Sequence, residues 1–300
     1  MPTVRDSPLR MLRSGLRGAI LSTMGLRDRL GGRLQAALCI PRVQVLYLHH
    51  LWPAEMEPFK VLLRILSSNY TFLSYSDAFA RIASRSIDRP YMTFSADDGF
   101  KDNIYIAEIL EEFGAKAAFF VCPRIIGERD TGQIRRFCAQ RLHCPESVFL
   151  DWPDIEQLLK HGHEIGSHTQ RHANLAQCSA DEAREEIEKS REDLGARCGP
   201  ITHFAWPYGR FSDFNGRARD LVFDAGYHSC ASAERGCHRP QRKGSEQRDL
   251  CIRRDHVVAK WPPSHILSFI TRNALCTADS ADTFAYLRSG LAQGQRPSRK

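Results

Sequence analysis

The sequence lacks several features that assign a chain of 300 residues to a common class of protein. No apolar run approaches the ~20 residues of a membrane-spanning helix. The short apolar stretch at 18–26 has polar breaks and no clear cleavage site, so we do not expect a secretory signal. No internal repeat and no recognisable nucleic-acid motif occurs, and nucleic acid is therefore not an expected partner. These absences favour a cytoplasmic location.

Cysteine is plentiful but unpatterned, with ten residues and no C-x-x-C pair. Disulfide-dense scaffolds are usually much shorter chains. Several cysteines lie in apolar runs such as AAFFVC at 117–122. We therefore expect reduced, mostly buried thiols.

The positive charge lies mainly at the start of the chain. Of the formal net charge of +7, six units come from residues 1–42, which hold eight arginines against two aspartates. Apolar residues recur at helical spacing among these arginines between 8 and 38. This pattern predicts a basic amphipathic arm that either packs on the domain or makes peripheral contact with an anionic membrane surface at the inner face of the membrane.

Strand and helix patterns alternate through the remainder of the chain. β-Branched and aromatic runs at 43–50, 90–99 and 116–122 are separated by amphipathic helical patterns, whereas 123–150 is irregular and reads as an insertion. The alternation predicts a parallel α/β fold, and its length suits a distorted barrel of seven or eight β/α units. A doubly wound sheet is the alternative, but no glycine-rich phosphate loop follows the first strand. The expected parts are an arm at 1–42, an α/β domain at 43–275 and a tail at 276–300.

Two adjacent acids end the second apolar run, in TFSADDGF at 93–100. Adjacent carboxylates repel each other, and a bound cation would relieve that repulsion. The strand ends of a parallel α/β fold converge on one face, where active sites form. Asp98 is therefore a candidate metal ligand and Asp97 a candidate base, with capping of the following turn as the structural alternative.

A second stretch, GSHTQRH at 166–172, supplies two histidines four residues apart. On a tight turn both imidazoles can reach one ion, and neutral imidazole and carboxylate are good ligands for zinc and similar divalent metals. Two histidines and one carboxylate leave coordination positions open for water and substrate, which is a catalytic arrangement. The sequence thus predicts a divalent metal site of Asp98, His168 and His172, with zinc preferred and cobalt, nickel or manganese as alternatives.

Three motifs in order closely resemble the leading motifs of the polysaccharide deacetylases, the NodB-homology fold of carbohydrate esterase family 4. They are TFSADDG at 93–99, GHEIGSHTQRH at 162–172 and FAWPYG at 204–209. The resemblance runs from about residue 43 to 260. It implies a distorted NodB-type (β/α) barrel and metal-dependent removal of acetyl groups from N-acetylated sugars.

The resemblance also implies roles for individual residues. Asp97 matches the catalytic base, and the metal ligands match Asp98, His168 and His172. Tyr208 matches the residue whose backbone N–H stabilises the oxyanion, a role that suits a fixed donor aimed at developing charge. Its neighbours Trp206 and Pro207 are candidate substrate-binding residues.

The sequence departs from the family pattern at two places. Ser95 and Ala96 are extra residues relative to the common T-F-D-D-G motif, and we expect a bulged strand end to absorb them. Many members carry an arginine that orients the base at the position that Ala205 occupies here. Arg253, in LCIRRDHV, is a candidate replacement for that arginine.

The family also needs a histidine acid that protonates the departing amine. In many members it lies near the C-terminus of the domain, where His256 and His265 are candidates but no L-x-H strand occurs. The strand VLYLHH at 45–50 instead resembles the first strand of members whose last motif has moved to the front. His49 aligns best, with His50 as its rival. Successive strand residues point to opposite faces, so we expect only one of the two to reach the site.

The sequence therefore predicts a metal-dependent N-deacetylase that acts on an N-acetylated sugar in a bacterial surface-glycan precursor or polysaccharide. One alternative is hydrolysis of another C–N bond, such as a cyclic amide or formamide, on the same fold. A second is a non-catalytic glycan-binding protein with a degenerate site. The intact set of two aspartates and two histidines argues against this second alternative.

Overall fold

The computed structural model describes residues 31–240 and 250–275. Within these ranges, no helix is long and apolar enough to cross a membrane. The first 30 residues, which hold most of the predicted basic arm, lie outside the described part of the chain. The described remainder of the arm includes a short helix, α1 (Arg33–Leu38), which packs against the last described helix.

A nearly closed, barrel-like sheet forms the centre of the molecule, as the alternating pattern predicts. Eight strands follow one another in the order β10-β1-β3-β4-β5-β6-β7-β9, and each neighbouring pair is parallel. Two short strands, β2 and β8, pair with β3 and β1 outside this path. The strands are β1 (Arg42–Leu48), β2 (Thr71–Phe72), β3 (Pro90–Asp97), β4 (Ala117–Val121), β5 (Glu164–Ser167), β6 (His203–Ala205), β7 (Ser229–Ala231), β8 (Cys237–His238), β9 (Cys251–Ile252) and β10 (Asp255–His256).

Helices connect the strands in the α/β manner. Several begin at the caps that the sequence announces: Asp151 accepts from the backbone N–H of Asp154, and Ser179 accepts from that of Glu182 in a capping box. The helices after α1 are α2 (Met56–Ser67), α3 (Tyr75–Ser84), α4 (Asn103–Glu112), α5 (Thr131–Phe137), α6 (Trp152–Lys160), α7 (Ala180–Cys198), α8 (Gly216–Asp224) and α9 (Pro263–Leu275).

Strand β3 carries the acidic motif in a regular register. It pairs with β1 without interruption from Arg42 opposite Pro90 to Leu48 opposite Ala96, and with β4 up to Asp97. The predicted bulge is therefore wrong. Two extra residues lengthen a strand by one full pleat, so the side chains that follow keep their faces and no bulge is needed.

The period of two in β3 also separates the two cores. Phe94 and Ala96 pack in the large cluster between the sheet and the outer helices. Ser95 and Asp97 point the other way, into the barrel, where a second cluster contains the inward residues of the other strands and the side chains of α3. Helix α3 thus fills one end of the barrel, and Asp97 and Asp98 lie at the other end.

A single segment, 251–256, closes the barrel. Its first part, β9, pairs with β7, and its second part, β10, pairs with β1 at the opposite edge of the sheet. Only Arg253 and Arg254 separate the two strands. The sequence predicted a strand at 250–254 but not this change of partner, which places the buried Arg254 inside the barrel.

The insertion at 123–150 is more regular than the sequence suggested. It contains α5 and a π-helical turn over Cys138–Leu142. Its apolar residues form a third small cluster with Phe100, directly after the acidic motif. The insertion therefore forms one wall beside the strand ends.

Candidate active site

The residues of the three motifs share an unusual backbone conformation. Six non-glycine residues of the described chain have φ in the left-handed region, and four of them belong to the motifs: Asp98 (72°), Thr169 (64°), His172 (55°) and Tyr208 (63°). Such conformations cost free energy and persist only where surrounding structure enforces them, and they cluster at active sites. The fold thus bends three separate loops to aim their side chains at one place.

Asp98, His168 and His172 converge as a buried group at the ends of β3 and β5. Asp98 Oδ1 lies 3.4 Å from His168 Nε2 and 3.3 Å from His172 Nε2. One ligand atom from each of the three lies within 4.8 Å of the others, and no other such cluster occurs in the described residues. Two atoms that each lie ~2.1 Å from a tetrahedral zinc are roughly 3.4 Å apart, so the spacing suits a zinc-sized cation.

The hydrogen bonds on the far side of each imidazole fix which nitrogen faces Asp98. His168 Nδ1 donates to the Ala205 carbonyl at 2.7 Å, and His172 Nδ1 donates to the Arg141 carbonyl at 3.1 Å. The Nε2 lone pairs therefore point at a carboxylate oxygen that is buried and has no hydrogen-bond partner among the described residues. A single cation satisfies all three atoms, whereas one proton would satisfy one pair. The donor set thus fits a divalent metal.

Arg141 enters the site through its backbone alone. Its carbonyl oxygen accepts from His172 Nδ1 and also from the Tyr208 hydroxyl at 2.7 Å. The insertion therefore orients a candidate metal ligand and the third motif together. Sequence reasoning missed this residue, because a carbonyl acceptor leaves no signature in side-chain type.

Asp97 lies beside this cluster and is held by Arg254. The guanidinium donates to Asp97 Oδ1 at 2.7 Å and to Oδ2 at 2.8 Å, and it also donates to the Ser95 hydroxyl and the Ser232 carbonyl. Arg254 is fully buried. The predicted replacement, Arg253, is wrong by one residue: its guanidinium donates to the Arg235 carbonyl instead.

The electrostatic surroundings keep both acids ionised. Burial would raise the pKa of Asp97, but the charge and hydrogen bonds of Arg254 outweigh burial and lower it. Burial would likewise raise the pKa of Asp98, and the imidazoles of His168 and His172 instead hold it well below its usual range. Burial lowers the pKa of His172, while the Asp98 carboxylate raises that of His168 despite burial. One acid is thus bound by an arginine and the other faces the two imidazoles.

The two adjacent histidines after β1 point in different directions. His49 Nε2 lies 4.0 Å from Asp98 Oδ2, so this imidazole reaches the cluster. His50 turns away, bonds to Asp102 Oδ2 at 2.8 Å and stacks on Phe100. Alternation along the strand explains the difference, since His49 continues the inward face of Tyr47.

His256 contacts the other nitrogen of His49. The two atoms, His49 Nδ1 and His256 Nε2, are 3.2 Å apart. Burial lowers the pKa of His256 to about 3, so this ring is neutral and its Nε2 can accept a hydrogen bond from the Nδ1–H of His49. The sequence named His256 as a rival acid, and the structure places it behind His49, farther from Asp98.

The turn after β6 presents the Tyr208 backbone. The Tyr208 N–H makes no hydrogen bond within the described residues, and the ring packs edge-on against His172 with centroids 4.8 Å apart. Gly209 follows at φ 70°, where an added Cβ would lie 2.2 Å from the Ala233 Cβ. Glycine is therefore required for the turn that aims this N–H.

Trp206 and Pro207 do not reach the cavity in this structure. Trp206 is fully buried, stacks on Phe214 at 4.3 Å between centroids and donates from its indole N–H to the Arg210 carbonyl. Pro207 is buried as well. Neither residue lines the cavity beside Asp98, and substrate binding by these two residues stays a prediction.

A cavity of about 360 Å³ opens beside the cluster. It reaches from Asp98 and His49 to the insertion, to Trp52 and to the residues that follow β10. A larger surface cavity, about 720 Å³, lies among α7, α8 and the loop before β6, but it holds none of the motif residues. The smaller cavity is therefore the candidate substrate site.

A family model described as polysaccharide deacetylase matches residues 84–230, which span all three motifs. This part of the chain thus matches the polysaccharide deacetylase family. One curated relative, the chitooligosaccharide deacetylase of Azorhizobium caulinodans, is 32% identical over 126 residues, which are 41% of this chain and 49% of that protein. The chain thus matches about half the length of this relative.

Solved structures of family members share the fold. The deacetylase PplD of Streptococcus pyogenes, solved with acetate, superposes with a TM-score of 0.59 at 18% identity, covering 77% of this chain and 98% of that one. A polysaccharide deacetylase from Bacillus cereus gives 0.60 at 18% identity, covering 76% and 69%. IcaB from Ammonifex degensii gives 0.58 at 16% identity, covering 76% and 97%. At these identities the likeness concerns the barrel.

Proposed function

We propose that this protein is a metal-dependent hydrolase that removes the N-acetyl group from an N-acetylated sugar. The observation that carries the proposal is the aim of two imidazole lone pairs at a buried, unpartnered carboxylate oxygen, beside a second carboxylate gripped by Arg254. The match to the polysaccharide deacetylase family and the likeness to the chitooligosaccharide deacetylase of Azorhizobium caulinodans support the sugar substrate.

The metal site is proposed to consist of Asp98, His168 and His172, with zinc as the preferred ion. A bound divalent cation would supply Lewis acidity, which polarises the acetamide carbonyl and makes a nearby water more acidic. Cobalt, nickel or manganese would suit the same nitrogen and oxygen donors.

The protein's own groups carry the proton transfers. Asp97, ionised and oriented by Arg254, takes a proton from the attacking water. The Tyr208 N–H donates to the developing oxyanion. His49 Nε2 gives a proton to the departing amine while its Nδ1 stays bonded to His256. The products are acetate and a free amino sugar.

The wider biological assignment also belongs to the proposal. We place the substrate in a bacterial surface-glycan precursor or polysaccharide and the protein in the cytoplasm, with peripheral membrane contact through the basic arm as a further prediction. The site chemistry supports hydrolysis of an amide, and the match to the polysaccharide deacetylase family supports the sugar.

The first experiment measures bound metal and released acetate together, on wild type and on Asp98→Asn. The substrates are UDP-N-acetylglucosamine and short N-acetylglucosamine oligomers. We expect about one metal per chain in wild type, less in the variant, and acetate only from wild type. Metal without acetate on any of these sugars would favour another C–N bond, such as a cyclic amide or formamide. A chain that binds no metal after reconstitution with zinc or cobalt would favour the non-catalytic glycan-binding alternative.

A further inference from the structure

Trp52 is an exposed aromatic residue on the wall of the substrate cavity. It is 48% exposed and is one of four large hydrophobic residues that the described chain leaves exposed. It lines the same cavity as His49 and Asp98. Because it lies beside the candidate active site, the exposed indole offers an apolar face on which a ligand can pack.

Trp52 ends a stack of four rings that begins in the core. Its ring lies on His50, with centroids 4.7 Å apart and planes 16° from parallel. His50 lies on Phe100 at 3.8 Å, and Phe100 lies on Phe149 at 5.3 Å. The bond from His50 to Asp102 holds the middle of the stack. One face of the indole is therefore covered, and its plane is set before any ligand arrives.

The backbone at Trp52 is also fixed. Trp52 caps a short 3₁₀ turn, Pro53–Glu55, with Pro53 at its first position. The Trp52 N–H donates to Glu55 Oε2 at 3.4 Å. A platform that is already ordered loses little entropy when a ligand binds to it.

The charges around the cavity discriminate among ligands. Its lining includes two carboxylates, Asp98 and Glu55, and one lysine, Lys260, whose Nζ lies 3.9 Å from Glu55 Oε1. The other lining includes apolar side chains of Leu142, Val257 and Val258. Apart from the proposed cation, Lys260 is the one cationic side chain in the described lining, and it lies near Glu55, so a diphosphate would find little further compensation there. A neutral ligand with an apolar face suits it better.

We infer that Trp52 is the platform for a neutral sugar ring adjacent to the ring that loses its acetyl group. A pyranose presents a face of C–H groups that packs on an indole while its hydroxyls stay in water. The substrate class is then an oligosaccharide rather than a nucleotide-linked monosaccharide. The inference rests on the proposed function for the position of the reacting ring, but it can be tested by binding alone.

The test compares Trp52→Ala and Trp52→Phe with wild type. The probe is reducing-end-labelled N-acetylchitotetraose, whose fluorescence anisotropy is read within seconds of mixing with the metal-loaded protein. We expect Trp52→Ala to weaken binding about tenfold, which is roughly 1.4 kcal/mol, and Trp52→Phe to remain within about threefold of wild type. Tyr105→Ala, which removes an exposed aromatic residue on α4 outside the cavity lining, is the matched control and should bind as wild type does.

Kinetics supply the second readout. In Trp52→Ala the KM for the tetramer should rise about tenfold with kcat within twofold, while competition by monomeric N-acetylglucosamine should be unchanged. A loss confined to UDP-N-acetylglucosamine would overturn the inference in favour of base stacking. Equal binding of the tetramer by wild type and Trp52→Ala, or no binding by wild type, would also overturn it. Tetramer binding that depends on Trp52 without acetate release would instead remove the proposed function and leave the platform.

Discussion

Arg254 grips both carboxylate oxygens of Asp97, at 2.7 and 2.8 Å, from a position 157 residues later in the chain. The two residues meet inside the barrel, and both are buried. In this chain Ala205 occupies the position of the third motif at which many members of the family that it resembles carry an arginine. Asp97 is instead held by a guanidinium that comes from the segment joining β9 and β10.

Removal of the Arg254 guanidinium should impair Asp97 as the proposed base. In Arg254→Ala, Asp97 keeps its burial without its counter-charge, so its pKa rises and the acid limb of the pH profile of kcat/KM moves to higher pH. We expect kcat to fall about 100-fold and the free energy of unfolding to drop by about 3–5 kcal/mol. Arg254→Lys should restore part of both. The matched control is Arg253→Ala, and an equal loss of kcat there would contradict the assignment of Arg254.

The metal site predicts a ligand-dependent stability. Zinc at a thousandfold excess over its Kd should stabilise the folded wild type by about 4 kcal/mol, measured by thermal denaturation with and without chelator. Asp98→Asn and His172→Ala should lose most of this gain. Asp220→Asn, which changes an exposed carboxylate on α8, is the control. A gain of the same size in all four proteins would show that zinc binds elsewhere.

Substitution of His49 and of His50 should change different kinetic constants. His49→Ala removes the group that faces Asp98, and kcat for deacetylation should fall about 10²–10⁴-fold. His50→Ala removes a stacking partner of Trp52, so its effect should lie mainly in KM. Steady-state kinetics on one oligosaccharide decide between them. The opposite pattern would make His50 the acid.

The glycine after Tyr208 should be intolerant of any side chain. Gly209→Ala places a Cβ against Ala233 at a backbone angle that side chains rarely adopt, so the turn must shift and the Tyr208 N–H with it. We expect a fall in kcat of about 100-fold and a lower melting temperature. Gly195→Ala, in the last turn of α7 with no atom within 4 Å of the added carbon, should instead stabilise by up to about 0.5–1 kcal/mol. Equal effects of the two changes would refute the turn argument.

Buried neutral histidines should make the fold acid-sensitive. Burial lowers the pKa of both His203 and His238 to about 4, whereas an unfolded histidine titrates near 6.5. The unfolded chain therefore binds more protons between these values, and stability is full above pH ~6.5 and falls towards pH ~4. Each group contributes up to roughly 3 kcal/mol. In denaturant titrations, His238→Gln should flatten this slope, and an unchanged slope would exclude His238 as a source.

The sequence predicted what local patterns encode. Alternating apolar residues located β1 and β3, and the motif spacing identified Asp98, His168 and His172, which the fold does bring together. The sequence-based prediction failed where the tertiary structure determines which residue contacts the site. The choice of Arg254 over Arg253 depends on a segment that leaves β7 for β1 within two residues, which no periodicity reveals.

The sequence did not predict which aromatic residues are buried, for the same reason. Trp206 and Trp52 both lie close to a motif in the sequence. Trp206 packs on Phe214 and is buried, whereas Trp52 packs on His50 with one face and stays exposed, and this difference depends on the tertiary structure. The acceptor role of the Arg141 carbonyl is equally invisible, since any residue type offers one. The residues that the sequence did not correctly predict orient or pack the site, whereas the candidate metal ligands and acids were predicted.

The segment that closes the barrel also ties catalysis to the integrity of the seam. Residues 251–256 supply Arg254 to the proposed base, Asp97, and His256 to the proposed acid, His49, yet none of the three candidate metal ligands. Local opening of this seam would therefore separate Asp97 from Arg254 and His49 from His256, while the candidate metal ligands kept their places. The enzyme would then exist in a loaded but idle state, distinguishable by hydrogen exchange at β10 from one that has lost its metal.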